Sequence, residues 1–283
     1  MTASSLGPAQ RRAVCHVASL SAGGPLDPAL RVTMSFHPDR WVAGAPLLAL
    51  MARDGIYRSQ FATGTSNGGL TAHPGGDRWV WESRRFGGAY DDVPPSERPT
   101  YGALNHRRRS VGGSPRFGSA HFRLTDDVLP RTTFCYPDSV FGPVDFGVAE
   151  RCSLLDLAAQ GEVDPLDDYV EAQVHGPVVL AEHVEALVLD PCHRGTEVEQ
   201  LAQAMPCPVE WHEGFRVRVA VLQQHPDYRG QEYVDLATRL ARGGTLDPRA
   251  IGEAVRAGRH DEQGLKRVWH YLARFGAPDP STR

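Results

Sequence analysis

Lysine is almost missing from this sequence: Lys266 is the only one among 30 basic residues in a chain of 283. The other basic residues are arginines. That bias reads first as codon usage, and it suits forked recognition of carboxylates and phosphates. Cysteine is scarce as well. Cys15, Cys135, Cys152, Cys192 and Cys207 are odd in number, far apart and without a C-x-x-C pair, which argues against a disulfide framework or a zinc knuckle and for a reducing compartment. No stretch approaches the roughly 18 apolar residues of a membrane span, and no apolar run of about 7–15 residues follows the first charges as a secretory signal would require. The expectation is a cytoplasmic protein that makes no membrane contact. A strong net charge is lacking too: −4 overall, with a pI near 6.3, argues against a general nucleic-acid binder. With 41% hydrophobic and 23% charged residues, the chain is neither disordered, collagenous nor a coiled coil.

What is present is enough for a self-sufficient core, at one large domain or two small ones for about 150 residues each. Residues 8–23 have the spacing of a short amphipathic helix. Leu30 to His37 alternates as a strand, Leu47 to Asp54 reads as a helix closed by Gly55, and Ile56 to Phe61 alternates again. From Thr63 to Pro115 the chain is dense in Gly, Ser, Asn, Asp and Pro, the composition of long functional loops. Phe117 to Leu124, Thr132 to Tyr136, Tyr169 to Val174 and Ala186 to Asp190 read as strands. Helical spacing then dominates at 197–204, 231–242, 248–257 and 265–275. The fold expected is α+β: an N-terminal helical segment at 1–29, a core domain at 30–225, and a helical C-terminal segment at 226–283.

Three stretches could carry chemistry. In the first, Arg58 on a strand precedes the Gly-rich turn Asn67-Gly68-Gly69. An arginine fork bonds a phosphate oxygen well, and glycines let backbone N–H groups approach it; a strand arginine paired with a structural carboxylate is the plainer alternative. The second is the strand through Ser119 and His121, opposite Phe122, where a small hydroxyl can orient a ribose without filling a pocket. In the third, Tyr169, Glu171, Gln173 and His175 share one strand face. Such a face is costly to bury unless it is solvated or used.

Arginine, serine and glutamate on successive strands resemble the mono-ADP-ribosyltransferase superfamily, in its cholera- and pertussis-toxin-like branch. The matching residues are Ile56-Tyr57-Arg58 before Gly68-Gly69-Leu70, then Phe117-Gly118-Ser119, then Glu171 before His175-Gly176-Pro177. The resemblance implies a split, curved pair of β-sheets around a cleft, NAD as substrate and no metal. It implies Arg58 on the NAD phosphate side, Ser119 positioning the nicotinamide ribose, and Glu171 bonding the ribose 2′-hydroxyl as the catalytic residue. Ser59, Gly68, Gly69, Tyr101, Gln173 and His175 complete the expected NAD-binding set. Breaking the nicotinamide–ribose bond builds positive charge on the ribose, which a nearby carboxylate stabilises. There are two departures from the family pattern, the second bearing on arginine as acceptor. Ser119-Ala120-His121 stands where many members have Ser-Thr-Ser, and Tyr169 stands where arginine-modifying members carry Glu or Gln. Most of residues 10–220 also resemble a bacterial family of unknown function, through Phe36-His-Pro-Asp-Arg40, Tyr57-Arg-Ser-Gln-Phe61, Phe86-Gly-Gly-Ala-Tyr90, Tyr101-Gly-Ala-Leu104, Phe117-Gly-Ser119 and Glu171-Ala-Gln-Val-His-Gly176.

The function expected is thus NAD-dependent transfer of ADP-ribose to a protein, a nucleic acid, a small molecule or water. A first alternative is a metal-dependent hydrolase or nuclease built on His37, Asp39, His121 and His175. A second is a non-catalytic partner-binding protein. Trp79 and Trp81 read as flanking Val80 on one strand face, either core or a stacking platform for a base. The run His106-Arg-Arg-Arg-Ser110 reads as a solvated basic loop, and Trp211-His-Glu-Gly-Phe215 as a turn without a chemical role.

Overall fold

The computed structural model describes residues 6–64 and 70–278. In chain order its main elements are α1 (Pro8–Leu20), β1 (Val32–Phe36), α2 (Leu47–Asp54), α3 (Asp77–Arg85), β2 (Thr100–Leu104), β3 (Ala120–Leu124), β4 (Thr132–Tyr136) and β5 (Asp145–Val148). They continue with α4 (Leu154–Gln160), β6 (Val170–Val174), β7 (Val184–Leu189), α5 (Glu197–Ala202), β8 (Val209–Trp211), α6 (Gln231–Leu240), α7 (Pro248–Ala257) and α8 (Glu262–Phe275). The eight strands form one sheet in the order β8-β7-β3-β1-β2-β6-β4-β5. Every pairing is antiparallel except that of β7 with β8. The protein is therefore a mixed α+β fold around a large, mostly antiparallel sheet. Its strands lie in this one sheet and three two-stranded ribbons, where a pair of sheets was expected. No helix among the described residues is long and apolar enough to cross a membrane.

Period-2 alternation explains how the sheet is covered. On one face Val32, Met34, Leu104, Phe122, Leu124, Phe134, Val170, Ala172 and Val174 build the main core. Helices α2, α4 and α5 cover it through Leu48, Leu154, Ala158, Val198 and Ala202. Gly55 ends α2 at φ +66°, a left-handed C-cap position that costs a glycine little. The opposite face carries the residues one step out of phase, and it is much more polar. Across β2, β6 and β4 it presents Tyr101, Glu171, Gln173, Thr133 and Cys135 in register. Helix α1 covers its β4–β5 side with Ala9, Ala13 and Val17 packed among Phe86, Tyr90, Phe146 and Val148.

A separate apolar cluster gathers α6, α7 and α8 with Phe215, Val217 and Leu246. Trp269 of α8 ties this helical unit to the sheet domain. Its indole Nε1 donates to the Arg116 carbonyl at 2.9 Å, and the His37 ring packs edge-on against it. Two expectations are corrected here. The strand at 56–61 shortens to Ile56–Tyr57, paired with Val178–Val179, because Ser59 caps a helical turn at Gln60–Thr63. The Trp79–Trp81 segment is helix α3, so the two indoles do not share a strand face.

Candidate functional site

Glu171 stands in the middle of β6, an interior strand, with 5% of its surface exposed. Burying a carboxylate is costly unless donors replace water, and donors converge on both of its oxygens. Gln173 Nε2 donates to Oε1 at 3.0 Å, and the Ser139 hydroxyl donates to Oε2 at 2.8 Å. Arg78 Nη1 lies 3.6 Å from Oε1 and donates to Ser139 Oγ at 2.5 Å. Burial raises the Glu171 carboxyl above the ordinary range, against the pull of the Arg78 guanidinium.

A directed line of hydrogen bonds runs into this carboxylate. The Thr133 hydroxyl gives its single proton to Gln173 Oε1 at 2.8 Å and sits 3.0 Å from His175 Nε2. It can therefore only accept from the histidine, which fixes the tautomer with hydrogen on Nε2. His175 Nδ1, 2.6 Å from Tyr90 Oη, must then accept from that phenol. The order is Tyr90, His175, Thr133, Gln173, Glu171, each donating to the next. Burial pushes the His175 imidazole down to about 3, with the nearby Arg131 charge adding to it, which agrees with a neutral ring.

A second buried ion pair adjoins the first. Glu82 of α3 accepts from Arg98 Nη1 and from the Tyr101 hydroxyl, each at 2.6 Å, and both members of the Glu82–Arg98 pair have fully buried side chains. Arg98 also donates to the Tyr90 carbonyl at 3.1 Å, and its guanidinium lies 3.3 Å from the Trp79 ring centroid. Burial pushes Glu82 up to about 7, opposed by its two donors. The Arg78 guanidinium lies 4.2 Å from the Tyr101 ring centroid, between the two carboxylates. Arg78 and Glu82, four apart on α3, thus turn one face of that helix onto the sheet. The arrangement can hold a carboxylate fixed and accepting, next to an aromatic ring and a guanidinium.

Of the residues expected from sequence, Glu171, Gln173, His175 and Tyr101 come together in this network. Arg58 does not join them. It is exposed at the end of its ribbon and pairs with Asp54 at 2.9 Å, the structural pairing weighed as the plainer reading. Ser59 is buried as a helix cap, its hydroxyl accepting from the Ala62 N–H at 3.2 Å. Gly68 and Gly69 lie outside the described residues. Ser119 precedes β3, three strand spacings from β6, or about 14 Å. Its buried hydroxyl has no partner among the described residues, and its carbonyl accepts from His212 Nε2 at 2.8 Å. Arg78 and Ser139 stand at Glu171 where Arg58 and Ser119 were expected.

The metal reading does not assemble. His121 and His175 sit on strands three spacings apart, His37 packs on Trp269, and no group of three metal-ligating side chains occurs among the described residues. In the basic run Arg107 and Arg108 are exposed, as expected of a solvated loop, and each pairs with a carboxylate, Asp168 and Asp27. His212 and Phe215 pack together at the edge of the helical unit.

Sequence reasoning missed Arg78, Glu82, Arg98, Ser139, Thr133 and Tyr90. The spacing Arg78-x-x-x-Glu82 was the available signal, since it is helical, but its buried face is charged and gives no hydrophobic periodicity. Comparison with curated proteins yields no match. A family profile matches residues 31–155 and again 148–275, spanning the sheet and the helical unit alike. On that match the chain belongs to the family of proteins of unknown function DUF3626.

Proposed function

We propose that this protein cleaves the nicotinamide–ribose bond of NAD and passes ADP-ribose to an acceptor or to water, with Glu171 as the catalytic carboxylate. The observation that carries the reading is the convergence of Gln173, Ser139 and Arg78 on the two oxygens of one buried strand glutamate. A carboxylate held in this way is prepared to stabilise positive charge developing on a ribose, without reorganising as the bond breaks. The reading departs from the expected constellation in its partners. Arg78 replaces Arg58 beside the glutamate, and Ser139 replaces Ser119 as the hydroxyl donor. Tyr101, with its ring against Arg78 and its hydroxyl on Glu82, supplies a flat surface beside the carboxylate.

An ADP-ribosyltransferase-like fold belongs to the same proposal. An antiparallel sheet with the glutamate on an interior strand supports it, and a single eight-stranded sheet in place of two counts against it.

The test is nicotinamide release from NAD by the purified chain, with chelator present, against Glu171→Gln. Loss of about a hundredfold or more in the variant is expected for removing one preorganised electrostatic partner. Label transferred to a bacterial lysate separates transfer from hydrolysis. A wild-type protein that neither binds nor turns over NAD refutes the proposal.

A further inference from the structure

β1 and β7 run in the same direction and finish at the same end of the sheet, and α7 lies by the loops that follow them. A cavity of about 250 Å³ lies there, lined by Asp39, His193, Thr196, Arg249, Glu253 and Arg256 among others. Three observations mark it as built for a ligand. His193 is 1% exposed, yet its Nε2 has no hydrogen-bond partner among the described residues. The Asp39 carboxylate bonds its own backbone N–H, and no ion pair or side-chain hydrogen bond among the described residues holds it. Gly252 stands in the middle of α7, where a glycine weakens a helix, and a Cβ there would lie 1.5 Å from Asp39 Oδ2. The missing side chain is what lets the carboxylate rest against the helix.

Arg249, Glu253 and Arg256 follow one another along a single face of α7. Glu253 is already occupied by Arg242 and by Arg249 Nε. Arg256 reaches Glu197 only at 4.0 Å, so most of the donors on the two guanidinium forks remain for an anion. The cavity thus offers cationic forks on one side and, on the other, a carboxylate that can accept from a hydroxyl.

We infer that this cavity binds a small phosphate ester that also carries a free hydroxyl. Arg249 and Arg256 take the phosphate, Asp39 accepts from the hydroxyl, and His193 Nε2 completes the polar lining. The site is separate from the Glu171 network and does not rest on the activity proposed for it.

The test is calorimetric titration of the full chain with ribose 5-phosphate, inorganic phosphate and ribose. Saturable binding of ribose 5-phosphate is expected, at least about threefold tighter than inorganic phosphate, the worth of one net hydrogen bond. The double variant Arg249→Gln, Arg256→Gln changes two half-exposed side chains and should keep the fold. It should weaken both phosphates by about tenfold or more, and Asp39→Ala, which removes the acceptor, should bring ribose 5-phosphate down to the level of inorganic phosphate. Glu171→Gln should bind as the wild type does. Absence of saturable binding, indifference to the arginine pair, equal binding of the two phosphates, or loss in Glu171→Gln each overturns the assignment.

Discussion

Replacing Arg98 by Met removes one partner of an ion pair whose two side chains are wholly buried. The Glu82 carboxylate would keep the Tyr101 hydroxyl and lose its guanidinium partner, and the Tyr90 carbonyl would lose its donor. Breaking a buried pair from one side costs about 3–5 kcal/mol, mostly the cost of the charge left behind. For 283 residues unfolding as one unit, an entropy of about 2.1 cal/mol/K per residue turns that into a fall in Tm of about 5–8 °C. The penalty should also depend on pH. Burial holds Glu82 at about 7, above its ordinary 4.5, so a protonated Glu82 favours the folded state. That contribution is whole below about 4.5 and fades as pH rises through about 7. Without Arg98 the carboxyl depends still more on its proton, so Arg98→Met should be milder at pH 5 than at pH 8. Adding Glu82→Gln should return the protein to within about 2 kcal/mol of the wild type. The assay is urea unfolding at the two pH values. A single-variant cost below about 1 kcal/mol at pH 8 would refute the reasoning.

Other expectations follow from the same structure. Arg58→Ala, at an exposed pair with Asp54, should change stability by less than about 1 kcal/mol in urea unfolding. Gly252→Ala should destabilise by about 1–3 kcal/mol through the clash with Asp39, despite the better helix former; in an Asp39→Ala background the same change should be neutral or stabilising. His37, His121, His175 and His270 are pushed down to about 3 by burial. The unfolded chain therefore binds more protons between pH 3 and 6.5, and their stabilisation, complete above 6.5, is lost as pH falls toward 3. The raised carboxyls of Glu82, Glu171 and Asp39 oppose this and reduce the proton uptake on unfolding. Calorimetry in buffers of different ionisation enthalpy measures that uptake, and His175→Gln should reduce it.

The strands that proved legible were those whose two faces differ in kind. Period 2 alone put Glu171, Gln173 and His175 on one face of β6, opposite Val170, Ala172 and Val174, and that is where they lie. Helix α2 was readable from its apolar stripe and Gly55, and α6 and α7 from the helical spacing of their apolar residues. Helix α3 was hidden because the face it buries consists of Arg78 and Glu82, which hydropathy reads as surface. Ser139, a partner of Glu171, and Arg98, the partner of Glu82, were equally hidden, since each adjoins a strand that pairs with β6 across a long separation in sequence. Arg58 showed the converse: a motif residue can sit on the right strand end and still face solvent.

The strand order has a consequence for how the molecule comes into being. β1 lies in the centre of the sheet, yet both strands that flank it come from residues 100–124, and β6 from 170–174. A chain growing from its N-terminus must hold the apolar residues of β1 unpaired while its neighbours are still being made. The helices α6 to α8 bury most of their faces on one another and on Phe215, Val217 and Leu246, which lie near them in sequence. Local contacts form sooner than distant ones, so the helical unit can order as its segments meet, whereas the sheet waits for strands far apart in sequence.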